Sequence, residues 1–117
     1  MTELHVFTSH QGGTLTLHPL GEIDLDSAGH LVGAALAVEQ GSGTDLAVDL
    51  TGVTFIDCSG IHALVALQHV ARDGGGTLMV SGAGQQAREL LVFSGLAALI
   101  GRPAGFPAPG RQPERDV

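Results

Sequence analysis

The chain has 117 residues, 44% of them hydrophobic and 15% charged, the composition of one globular domain and not of a disordered segment. Its formal net charge is −7, its five basic residues are all arginine, and Trp and Tyr are absent. That excludes the basic face and the aromatic platform that nucleic-acid binding requires, and it favours a basic protein partner.

In chain order, residues 3–9 and 14–20 form a β-hairpin about the turn Gln11-Gly12-Gly13. Pro19 lacks an N–H, which places that strand end at an edge or a bulge. Gly21-Glu22-Ile23-Asp24 reads as a loop. Asp26 or Ser27 caps a helix in which Leu31, Ala34, Ala35 and Val38 recur at helical spacing to about Gln40, and Gly41-Ser42-Gly43 stops it. A strand follows at 45–50, then a short excursion at 51–54 and a brief apolar piece, Phe55-Ile56. Asp57-Cys58-Ser59-Gly60 opens a second helix to about Arg72, with Ala63, Leu64, Leu67, Val70 and Ala71 on its core face.

Thr77–Val80 reads as a buried strand and 85–93 as a third helix closed by Ser94-Gly95. Leu96–Ile100 adds a last turn or strand. From Gly101 onward four prolines fall among glycines and charges, so 101–117 is expected to be a flexible tail beyond a domain at 1–100. The order β-β-α-β-α-β-α predicts an α/β domain: a mixed four- to five-stranded sheet covered by helices. One cysteine excludes an intramolecular disulfide. The N-terminus lacks the order of a signal peptide, and no apolar run approaches the roughly 20 residues of a bilayer span. The expectation is a cytoplasmic protein with no direct membrane insertion.

The chemistry concentrates at Asp57-Cys58-Ser59-Gly60. A strand running directly into a helix leaves backbone N–H groups at the helix start, where Asp57 can accept them and where negative charge is favoured. A hydroxyl there is placed to carry a phosphate, with about −1.5 to −2 charge at pH 7. The plain alternative is a helix cap followed by a small-residue contact at Gly60.

Four pieces of sequence then form a pattern. Val48-Asp49-Leu50 with Val53–Gly60 and Leu64 resembles the signature of the STAS domain of bacterial anti-sigma factor antagonists. Leu20-Gly21-Glu22-Ile23-Asp24 resembles that family's loop after the second strand, Gly75–Val80 its strand after the second helix, and Leu90-Leu91 with Ser94-Gly95-Leu96 its final helix and turn. The resemblance covers about residues 3–100. It implies the STAS fold, binding to an anti-sigma factor of the serine-kinase type, release of a sigma factor to regulate transcription, and control by phosphorylation at the helix-start turn, reversed by a serine phosphatase. It implies no cofactor, no metal and no catalysis by this chain. Glu22, Asp24, Asp57, Cys58, Ser59, Gly60, Ile61, His62 and Val65 are the expected partner contacts.

At the acceptor position after the aspartate the family carries Ser or Thr, and this chain carries Cys58. Three outcomes are open: Ser59 is the phosphorylated residue, displaced by one; the chain is unphosphorylated and permanently able to bind; or Cys58 replaces phosphate control by redox control. Cys58 with His62 four residues on is also the pattern of a thiol nucleophile, against the plain reading of a small, half-buried apolar residue. Glu22 and Asp24 as an acid–base pair stand against a solvated loop. Ile61 and Val65 lie off the core arc and are expected either as an exposed partner surface or as a contact with a neighbouring helix. A STAS subunit of a larger signalling assembly or of a lipid-transport ATPase complex, and a ligand-sensing STAS module, are the rival roles.

Overall fold

The computed structural model describes residues 4–37 and 45–101. The elements are β1 (His5–Gln11), β2 (Thr14–Ile23), α1 (Ala28–Ala37), β3 (Asp45–Asp49), β4 (Val53–Ile56), α2 (Cys58–Asp73), β5 (Leu78–Ser81), α3 (Gln85–Phe93) and a 3₁₀ turn, Ala97–Leu99. The expected tail, apart from Gly101, and the end of the first helix at Val38–Gln40 with its glycine stop lie outside the described residues.

The α/β architecture with a mixed, five-stranded sheet holds. The element order needs one correction, because the apolar piece before Asp57 is a strand in its own right, β4. Antiparallel β1–β2 pairing opens the sheet, parallel β2–β3 and β3–β5 pairing continues it, and β4 pairs parallel with β2 alone. β2 is therefore forked: residues 14–17 pair with β3, while Gly21, Glu22 and Ile23 pair with β4.

The fork explains why the expected loop at residues 21–24 is mostly strand. Gly21 takes φ +121°, which a side chain would resist, and the ladder shifts register between Gly21 and Glu22. The chain thereby bends and keeps pairing through Ile23. Pro19 sits inside β2, opposite Val6 of β1. The Gly21 N–H donates to Gly52 O on the β4 side, and period-two alternation points Pro19 N the same way, into the gap between the two parallel partners. There a missing N–H breaks no ladder.

Alternation in β2 sends Leu15 and Leu17 into the core and leaves Thr14, Thr16 and His18 half-exposed on the opposite face. Leu46 and Val48 of β3, Val80 of β5, Leu31 and Ala35 of α1, Leu64 and Leu67 of α2 and Leu91 of α3 complete one core. The segment after α3 returns to the sheet: Ile100 bridges Val80 and the Gly101 N–H donates to Val80 O.

Candidate functional site

Two adjacent parallel strands end in the same way. Ile23 of β2 and Ile56 of β4 are register partners, both fully buried, and each is followed by an aspartate whose side chain holds the turn toward the next helix. Burial of the isoleucines fixes where the strands stop, and the aspartates collect the N–H groups that the helix starts leave free.

Asp57 is the N-cap of α2: its Oδ1 accepts the N–H of Ser59 at 2.8 Å and of Gly60 at 3.3 Å. Gly60 is buried against the strand ends. A Cβ there would lie 2.8 Å from Ile56 Cδ1 and 3.0 Å from Ile23 Cγ2, so only glycine fits. The Ile56 edge is closed by a side chain from α3. Gln86 Nε2 donates to Ile56 O at 2.7 Å, and the Ile56 N–H donates to Gln86 Oε1 at 3.3 Å.

At the other strand end Asp24 holds the turn of residues 24–27 that leads into α1. Asp24 Oδ1 accepts the N–H groups of Asp26 and Ser27, both at 3.1 Å, while the Asp24 N–H donates back to Ser27 Oγ at 3.0 Å. This reciprocal arrangement is a capping box with serine in the returning position. The Ser27 hydroxyl donates on to Glu22 O at 2.8 Å, and its side chain is buried. Glu22 itself lies half-buried on β2 opposite Phe55.

The structure thus brings Glu22, Asp24 and Asp57 to neighbouring strand ends, with Cys58, Ser59, Gly60 and His62 on the first turns of α2. Cys58 is exposed, which corrects the half-buried reading: it is the first residue of the helix, ahead of the turn that packs through Gly60. No hydrogen bond joins it to His62 among the described residues. Ser59 is half-buried, and its hydroxyl has no hydrogen-bond partner among the described residues.

Ile61 is corrected as well. It is 6% exposed and belongs to the core, so it offers a partner nothing. The single-arc wheel failed because α2 is covered by the sheet and by α1 together, which widens its buried arc. Val65, further along, is half-buried.

Between the starts of α1 and α2 lies an open groove of about 270 Å³, lined by Leu25, Ala28, Gly29 and Val32 on one side and Ser59, His62 and Ala63 on the other. Leu25, at its mouth, is 80% exposed. Neither Leu25 nor Gln86 was identifiable as a site residue in the sequence. Gln86 acts 30 positions away from Ile56, and Leu25 is a lone apolar residue in a polar turn.

A third aspartate ends β3. Asp49 Oδ1 accepts the Thr51 N–H at 3.0 Å and the Thr51 hydroxyl at 2.6 Å. Burial opposes its ionisation, but the two Thr51 hydrogen bonds and the His18 ring outweigh that and hold its carboxyl below the usual value. Among the described residues no group of three or more His, Cys, Asp and Glu is placed to hold a metal ion, and no helix is long and apolar enough to cross a membrane.

A family model described as "Mlab, STAS domain" matches residues 6–101. Among solved structures, the anti-sigma factor antagonist SpoIIAA in its unphosphorylated form is similar at 17% identity and a TM-score of 0.74, over 86% of this chain and 90% of that one. An anti-sigma factor antagonist from Mycobacterium paratuberculosis aligns at 23% identity and a TM-score of 0.70, over 89% and 88% of the two chains. A sulfate transporter family protein from Wolinella succinogenes aligns at 22% identity and a TM-score of 0.65, over 78% and 74%. A search of curated proteins found no match. At these identities the solved structures establish a shared fold.

Proposed function

The chain belongs to the STAS domain family, and on that premise we propose that it is an anti-sigma factor antagonist. In this reading it binds an anti-sigma factor of the serine-kinase type in the cytoplasm, frees a sigma factor and so regulates transcription, with no catalysis of its own at the Asp57 turn. The observation that carries the proposal is the composition of that turn's surroundings. A half-buried Ser59, whose hydroxyl has no hydrogen-bond partner among the described residues, lines an apolar groove between two helix starts, next in sequence to the exposed Cys58 and with Leu25 projecting at its mouth. Such a surface offers an apolar anchor with polar groups around it, the usual form of a protein-binding patch.

Ser59 is the one hydroxyl within the turn, and it is the acceptor we assign to the partner kinase. Phosphate there would set about −1.5 to −2 charge beside the Asp57 carboxylate, at a helix start whose Ser59 and Gly60 N–H groups are already taken by Asp57. Those N–H groups are not free to neutralise it, so phosphorylation disfavours the complex.

The test mixes the chain with a serine-kinase anti-sigma factor and ATP. The expected result is a complex, sigma release, and a mass gain of one phosphate that Ser59→Ala removes and Cys58→Ser leaves. Absence of a complex and of any effect on sigma release would sink the reading. A complex without mass gain would leave binding and remove Ser59 as acceptor. The similarity to the sulfate transporter family protein favours a second reading, a STAS component of a transporter assembly. Co-purification with a transport protein instead of an anti-sigma factor would decide for it.

A further inference from the structure

We propose that Ser9 is the nucleophile of a second site, a covalent acyl acceptor on the open face of the sheet, activated by His18 and Asp49 and directed at activated carboxylic esters. The inference is independent of the binding role of the Asp57 turn.

Three side chains from three adjacent strands meet in line. Ser9 Oγ on β1 is 3.1 Å from His18 Nε2 on β2, and His18 Nδ1 is 3.4 Å from Asp49 Oδ2 on β3. The ladder sets this row. Ser9 pairs with Thr16, and Leu17 pairs with Val48, so the next residues on β2 and β3, His18 and Asp49, lie side by side.

Each member fixes the next. Thr51 holds Asp49 by its Oδ1, which leaves Oδ2 to the imidazole. A carboxylate at Nδ1 selects the tautomer with its proton there, so Nε2 presents a lone pair to the Ser9 hydroxyl. That is the division of roles among nucleophile, base and orienting acid in serine acyl transfer. Asp49 is ionised at neutral pH, since its hydrogen bonds outweigh its burial.

The reaction balances without a further reagent. Ser9 Oγ attacks the ester carbonyl carbon as its proton passes to His18 Nε2. The tetrahedral oxyanion collapses, the bond from carbon to the leaving oxygen breaks, and His18 returns the proton to that oxygen. The products are an acyl-Ser9 ester and an alcohol. Thr16 is the register partner of Ser9, and its hydroxyl is the group on that face assigned to the oxyanion. Phe7, opposite His18 and 57% exposed, gives the acyl chain an apolar surface.

The probe is p-nitrophenyl butyrate, with the adduct localised by peptide fragmentation. The chain contains no lysine, so amine background is confined to the N-terminus. The expected outcome is one butyryl group on Ser9, lost in Ser9→Ala and formed about 10²-fold more slowly in His18→Gln. Asp49 is a positioning residue. Asp49→Asn should shift the His18 tautomer in ¹⁵N spectra as well as slow acylation. No adduct at Ser9 would overturn the proposal, as would an unchanged rate in His18→Gln, and an unmoved tautomer in Asp49→Asn would overturn the part given to Asp49.

Discussion

The turns at Asp24 and Asp57 begin with the same atoms and end differently. Both aspartates follow a buried isoleucine, and both take the N–H groups two and three residues on. At Asp24 the third residue on is Ser27, which turns its hydroxyl back into the cap and is buried there. At Asp57 the third residue is Gly60, which cannot return a hydrogen bond, and the hydroxyl has moved one place outward to Ser59. One turn spends its hydroxyl on the fold. The other leaves it half-buried and outside the cap, at the position where the proposed phosphorylation would act.

Changing each position in turn measures that contrast. The largest effect is expected from Gly60→Val. The new side chain meets Ile56 and Ile23, which are fully buried and have nowhere to move, and unfolding in denaturant should show a loss of about 3 kcal/mol. Ser27→Ala should lower stability by about 2 kcal/mol in the same measurement, because it strands the half-buried Glu22 carbonyl and the Asp24 N–H. Asp57→Ala removes a helix cap and should lower it by about 1 kcal/mol.

Ser59→Ala should change stability by less than about 0.5 kcal/mol. A loss there as large as at Ser27 would erase the distinction between the two turns. The smallest effect concerns the third aspartate. Asp49 has a lowered pKa in the folded chain, so its stabilisation is present above the unfolded value of about 3.9 and is lost as pH falls through the folded one. Asp49→Asn should therefore flatten the acid limb of the stability profile below about pH 4 and leave the profile at pH 7 to 8 parallel to wild type.

The sequence disclosed the Asp57 turn because its signals are local: an apolar pair, a capping residue and a glycine within six positions. α3 was legible at its full length, 85–93, from the spacing of Ala87, Leu90 and Leu91. What stayed hidden depended on neighbours distant in the chain. β2 runs past Pro19, where the strand is expected to end at an edge or a bulge, and on through Gly21, which reads as loop, because a gap in the parallel ladder and a bulge absorb them. Between a partner surface and a helix contact the wheel cannot choose for Ile61, because it does not contain the second layer, α1. The Ser9–His18–Asp49 row was invisible because it exists only once the strands are in register.

The Gln86 clamp has a consequence for how this surface can be used. Its amide occupies both the N–H and the C=O of Ile56, the last backbone pair of an edge strand before the Asp57 turn. An unsatisfied edge invites another chain to extend the sheet. Here the template is already filled at the point nearest the site. Strand addition at Ile56 is closed, so the proposed partner would have to be recognised through side chains and helix ends.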